Sequence, residues 1–200
     1  MTEWDGGVLP YSVGHKKLGM WLFIVSDALT FSALLIGYSY LRVSTPNWPT
    51  PFHLWPSIAF SSLMTFCLLS SSLTMVLGVN AAQRQDRAGT VKWILATIAG
   101  GVAFMVLHLM EWNSLFHEGV TLVSNPWNVP QFGATFFGIT GLHMFHVFTG
   151  VLYLAGMAVG VSRGKYGEEH VEVCGLYWHF VDLVWMFVFP LVYLLSVKMH

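Results

Sequence analysis

The sequence predicts an all-α, polytopic membrane protein built as one bundle of five transmembrane helices, and three observations carry that prediction. Of its 200 residues 55% are hydrophobic and only 10% charged, with a mean hydropathy of +0.61. A soluble domain carries about 25% charged residues, so this chain would leave too much apolar surface facing water. Five apolar stretches each reach the ~20 residues that a helix needs to cross a hydrocarbon core about 30 Å thick. The stretches are also long and continuous, unlike the short alternating strands of a membrane barrel. A backbone in lipid must satisfy its own hydrogen bonds, which leaves the helix.

The first span is expected over Leu18–Leu41, ending before the breaker-rich Ser44-Thr-Pro-Asn-Trp-Pro-Thr-Pro51. The second runs over Leu54–Val79 and gives way to a polar segment from Asn80 to Thr90. Trp93–Phe116 forms the third, followed by a loop containing Asn125-Pro-Trp-Asn-Val-Pro130. Phe132–Val161 is the fourth, and after Ser162 to Glu172 the fifth occupies Val173–Val197. No internal repeat or composition shift divides the chain, so residues 1–200 are expected to form a single domain.

The chain opens Met-Thr-Glu-Trp-Asp without a basic segment leading into a cleavable apolar one, so no signal peptide is expected and the first span directs insertion. Lys16, Lys17, Arg84, Arg87, Lys92, Arg163 and Lys165 fall on one side of the predicted bundle; Arg42 and Lys198 fall on the other. The positive-inside rule then puts the N-terminus in the cytoplasm and the C-terminus outside, in the periplasm. A net charge of -1 with no basic tract gives no electrostatic case for nucleic acid. Cys67 and Cys174 lie inside apolar runs and read as packing residues. Trp48, Trp55, Trp93, Trp112, Trp127 and Trp178 stand near predicted helix ends, where an interfacial aromatic layer belongs. Ala33 with Gly37, Gly156 with Gly160, and Gly133, Gly138 and Gly141 offer small faces for close helix approach, as do Ser61, Ser62, Thr65 and Ser70 to Ser72.

Ionisable groups at membrane depth cost at least about 2.5–3.5 kcal/mol each on insertion scales, so they mark partners or function. Asp27 sits near the middle of the first span, and reads either as a proton-exchanging carboxyl or as a neutral acid bonded to a neighbouring helix. His108 with Glu111, His143 with His146, and His179 with Asp182 are each three residues apart, the spacing of one helix face. Helical bundles that hold two irons use such Glu-x-x-His pairs. Here antiparallel neighbours put Glu111 in the outer half of its helix and His179 near the inner end of its own, which argues against one compact ligand shell. A di-haem arrangement needs histidines about four turns apart on each of two helices, a spacing that His143 and His146 do not have. Interhelical hydrogen bonding, worth ~0.6 kcal/mol on average in membrane bundles, is the plainer reading of the three pairs.

The last span narrows this further. Tyr177-Trp-His-Phe-Val-Asp-Leu-Val-Trp185, preceded by Glu172 and leading to Val192-Tyr193, resembles the final helix of subunit III of haem-copper oxidases. Thr140-Gly-Leu-His-Met-Phe-His-Val147 with Gly150, His108-Leu-Met-Glu-Trp112 and Trp21-Leu-Phe-Ile-Val-Ser-Asp27 resemble its other helices, in the family's order. Asp27 stands where mitochondrial-type members have a carbodiimide-reactive Glu, so the carboxyl is kept on a shorter arm. By this resemblance the first span would correspond to the third helix of the seven-helix form, and the chain resembles the five-helix bacterial version.

The resemblance implies an inner-membrane subunit that acts as part of a respiratory oxidase, most often a cytochrome c oxidase, which reduces oxygen and pumps protons. No redox centre or metal would belong to this chain; haem and copper would lie in partner subunits, and subunits I and II and phospholipid would be its partners. It would stabilise the catalytic subunit and support proton uptake, with Asp27 as its buried functional carboxyl and His108, Glu111, His143, His146, His179 and Asp182 as candidates along the lipid cleft. His143 or His146 is expected close enough to Asp27 to bond it. Membership in a larger respiratory assembly stays open, as do a quinol oxidase, an accessory protein of a nitric oxide reductase and an independent proton-coupled transporter. The transporter would call for a broken helix or an inverted repeat.

Overall fold

The computed structural model describes residues 14–197. The expectations drawn from the first residues and from Lys198 lie outside the described residues. Helix α1 is His15–Ser44, α2 is Ala59–Gln83, α3 is Arg87–His117, α4 is Pro130–Ser162 and α5 is Glu168–Val188. A wide helical turn, Leu54–Ile58, leads into α2, and two short turns, Phe189–Tyr193 and Leu194–Ser196, continue α5. All five spans are long and apolar enough to cross a membrane. Among the described residues the only strand-like pairing is a single bridge between Phe52 and Val197.

α1, α3 and α4 overrun their predicted stretches at both ends, as do the end of α2 and the start of α5, because polar residues extend a helix beyond the hydrocarbon while hydropathy marks only the apolar part; α2 instead begins five residues late, at Ala59, and α5 stops at Val188, the remaining apolar residues forming the flanking turns. The α2–α3 connection shows the local chemistry. Gln85 takes a positive φ of 60°, and Asp86 caps α3 by accepting from the Gly89 amide at 2.9 Å. A Cβ on Gly89 would stand 2.2 Å from the Asp86 carboxylate, so a larger residue there would push the capping side chain aside. Ahead of α4, the Asn125 side chain donates to the Val129 carbonyl and accepts from the Val129 amide at 3.1 Å, and Pro130 opens the helix where no amide is needed.

α2 and α3 form an antiparallel hairpin packed at close range. A Cβ on Gly100 would stand 2.6 Å from that of Ser71, and Thr74 bonds Thr97 at 2.8 Å. α4 and α5 complete the core, with Trp178, Trp185, Phe104, Phe132 and Phe136 fully buried. Trp178 is therefore a core residue and not an interfacial one as the sequence suggested: α5 begins at Glu168, which carries Trp178 nearly three turns into the bundle. The glycine expectations divide likewise. Gly160 packs on Tyr166, Gly133 on the Thr121 carbonyl and Gly141 on Trp112, whereas Gly37, Gly138 and Gly156 face open space.

α1 is the least buried span and leans on α4 and α5. Tyr38 bonds Ser196 at 2.9 Å, Arg42 donates to the Leu195 carbonyl, and at the other end Lys17 pairs with Glu172 at 2.9 Å and Lys16 with Glu169 at 3.5 Å. The lysine pairs are largely in water, where such contacts contribute about 0–1 kcal/mol. Lys17→Ala is accordingly expected to move the unfolding temperature of the chain little, and added salt even less; a large drop in a thermal melt would mean that these pairs anchor α1.

Candidate functional site

The titratable side chains within the spans gather at three places. Asp27 points from α1 toward α4, where its Oδ2 lies 2.6 Å from Nε2 of His146. The other ring nitrogen, Nδ1, is 2.8 Å from the Leu142 carbonyl one turn back. A carbonyl only accepts, so Nδ1 carries a hydrogen and Nε2 is the basic nitrogen of the neutral ring. The carboxyl of α1 and the imidazole of α4 thus meet directly, with Nε2 turned to the carboxyl. Oδ2 sits off the line of a regular ring N–H bond and takes no other hydrogen bond, so the contact is close without being aligned.

The surroundings hold the pair in place. Phe31 meets the His146 ring edge-on at 5.4 Å between centroids, and Tyr177 donates to the His146 carbonyl at 3.0 Å while its hydroxyl also meets Thr149. Met20, Phe23, Phe145 and Tyr153 complete a cleft of about 490 Å³ that opens sideways from the bundle. A carboxyl of the first span therefore lies against a mostly apolar opening.

His143 leaves this pair, although it stands one turn from His146 on the same helix. It turns into the α3–α5 core, stacks on Trp185 at 5.0 Å, and meets Phe104 edge-on at 5.7 Å. His108 stacks on the same Phe104 at 5.6 Å and meets Trp185 edge-on at 5.6 Å. Neither ring nitrogen of either histidine has a hydrogen-bond partner within the chain. Glu111 is 3.7 Å from His108 Nδ1, beyond hydrogen-bond range, and is bonded instead to Ser61 and Tyr193. His179 bonds Ser72 at 2.6 Å, and Oδ1 of Asp182 has no partner. Ser72→Ala is expected to cost about 0.6 kcal/mol, the average for a hydrogen bond between membrane helices; a thermal melt checks it.

The seven residues therefore do not form one site. Asp27 and His146 are brought together, Glu111 and His108 form a second neighbourhood, and His179 with Asp182 belongs to the α2–α5 seam. Among the described residues no group of three or more His, Cys, Asp or Glu could hold a metal ion. Sequence reasoning named Ser61 only as a small packing residue and Tyr177 and Tyr193 only within a motif, because a hydroxyl in an apolar helix announces no partner until the neighbouring helix is in place.

A five-span membrane bundle whose buried acids face imidazoles and hydroxyls defines a polytopic membrane protein with its ionisable groups turned inward. Residues 11–197 match the family cytochrome c oxidase subunit III. The chain is 31% identical to cytochrome c oxidase subunit 3 of Bacillus sp. (strain PS3), over 91% of this chain and 86% of that protein. It is 33% identical to cytochrome c oxidase subunit 3 of Synechocystis sp., over 91% and 78%, and 30% identical to quinol oxidase subunit 3 of Bacillus subtilis, over 90% and 86%. The chain belongs to the cytochrome c oxidase subunit III family of the haem-copper oxidases, and is a multi-pass protein of the bacterial inner membrane.

Proposed function

We propose that this chain is the redox-silent subunit III of a bacterial terminal oxidase, seated beside catalytic subunit I in a complex with subunit II, with its N-terminus in the cytoplasm. Haem and copper belong to those partners. The observation that carries its own role is the 2.6 Å approach of Asp27 Oδ2 to His146 Nε2 at the wall of the apolar cleft. Asp27 and His146 store and exchange one proton there: either the carboxyl holds it against Nε2, or the imidazolium holds it against the carboxylate. The Leu142 carbonyl keeps Nδ1 protonated in both states, so the ring does not turn as the proton moves. The cleft takes a phospholipid acyl chain, which keeps water from the pair except at its open side and helps fix subunit I. Relatives include subunits of both cytochrome c and quinol oxidases; cytochrome c is the donor proposed here.

Purification of the tagged chain in mild detergent tests the assignment, with the accompanying subunits identified by mass spectrometry and a reduced-minus-oxidised spectrum recorded. A large polytopic subunit with a-type haem bands is the expected result. A colourless, solitary chain from cells that retain active oxidase would overturn it.

A further inference from the structure

At the end of the bundle where α3 finishes, a pocket of about 250 Å³ lies between the Pro51–Phe60 segment and the last turns of α3. Its walls include Phe52, Phe60, Met110 and Leu115, Glu118 is among its lining residues, and Glu111 reaches it from the core. We propose that Glu111 is a second proton-exchanging carboxyl of this chain, protonated at rest, served through this pocket and separate from the Asp27–His146 pair.

The hydrogen bonds around Glu111 carry the argument. Ser61 Oγ is 2.8 Å from Glu111 Oε1 and 3.1 Å from the Ser57 carbonyl, and Tyr193 donates to Oε2 at 2.7 Å. Ser61 has one hydrogen, and the Ser57 carbonyl can only accept. With Glu111 protonated on Oε1, its O–H donates to Ser61, Ser61 donates to Ser57, and every donor has an acceptor. With Glu111 ionised, the one Ser61 hydrogen must be split between two acceptors or leave one of them. A buried carboxylate also calls for a cation. Among the described residues the nearest ionisable nitrogen is His108 Nδ1 at 3.7 Å, and both nitrogens of that ring are unbonded in a fully buried setting. The other titratable groups facing this neighbourhood are Tyr193 from the turn after α5 and Glu118 along the pocket, neither of which supplies a positive charge; His143 packs on Phe104 and Trp185, the same rings that flank His108.

Exchange then proceeds by one balanced step. The Glu111 O–H bond breaks, its electron pair stays on the carboxylate, and the proton passes to water entering from the pocket. Tyr193 and Ser61 both then donate to the carboxylate, which makes the ionised form reachable without being preferred.

Infrared spectroscopy of the chain purified with its accompanying subunits tests this in the carbonyl-stretch region of protonated carboxylic acids. The wild-type minus Glu111→Gln spectrum is expected to contain such a band, moving to lower frequency in D2O. Tyr193→Phe should displace the same band, which keeps the test open if Glu111→Gln fails to assemble. Asp27→Asn should leave it in place, and Ser114→Phe, which fills the pocket, should slow its D2O response several-fold. Absence of the band would mean an ionised Glu111, and a band indifferent to D2O a sealed structural acid; either overturns the proposal. Loss of the band in Asp27→Asn would overturn the separateness of the two sites, and an unchanged exchange rate in Ser114→Phe would overturn the route.

Discussion

Asp27→Asn is expected to leave the chain folded and assembled while the oxidase loses activity several-fold faster during turnover and the chain loses its carbodiimide labelling at this position. The asparagine amide can donate to Nε2 of His146, so the two side chains can stay in contact, and His146 keeps its bond to Leu142. Interhelical hydrogen bonds in membranes differ by well under about 2 kcal/mol, so the melting temperature should change little. What vanishes is the second protonation state: an amide neither releases nor takes a proton at neutral pH, and the pair can no longer hand one on. Asp27→Glu keeps the chemistry on a longer arm and should retain most of the turnover lifetime. Turnover, inactivation rate and labelling all unchanged in Asp27→Asn would remove the proton-related role and leave a structural acid.

Trp178→Ala is expected to give the largest loss of stability from a single substitution, about 3–5 kcal/mol, the usual cost of emptying a buried Trp site. The indole reaches from α5 to three other helices. It fills the space above Gly101 of α3 and Gly150 of α4, and its Nε1 donates to Ser71 Oγ of α2 at 3.1 Å. A Cβ on Gly101 would meet the ring at 2.5 Å, so the glycine and the tryptophan are one packing unit. Gly101→Val alone should destabilise by overpacking, about 1–3 kcal/mol. In the Trp178→Ala background the same change should restore part of the loss, because it then occupies an empty space. The temperature at which the solubilised chain unfolds measures all three. A loss under about 1 kcal/mol in Trp178→Ala, or strict additivity with Gly101→Val, would show that the two sites do not share a packing unit.

Much of the architecture was legible because hydropathy is a local quantity. A helix long enough to span, and the breakers that end it, are written within about 20 residues of each other, so all five spans lie where the apolar runs put them. The ends were less legible: α3 begins at Arg87 and α5 at Glu168, because charged residues continue a helix into the headgroup region as readily as they end one. Composition also confined Asp27, Glu111 and the histidines to a short set of costly residues that demand an explanation.

Which of them meet was decided by the tertiary structure alone. His143 and His146 share a helix and a spacing, yet one turns to Trp185 and the other to Asp27, since α4 is wedged between the core and α1. Gly101 and Gly150 matter, and Gly37 does not, because only the first two lie beneath an indole delivered from another helix. Glu111 gains Ser61 and Tyr193 across fifty and eighty-two positions of sequence. Sequence determined that polar groups would be buried in lipid and at roughly what depth. The rotation of each helix about its axis, which fixes the partner of every buried proton, came only from packing, because small residues and large rings must interlock across helices that are distant along the chain.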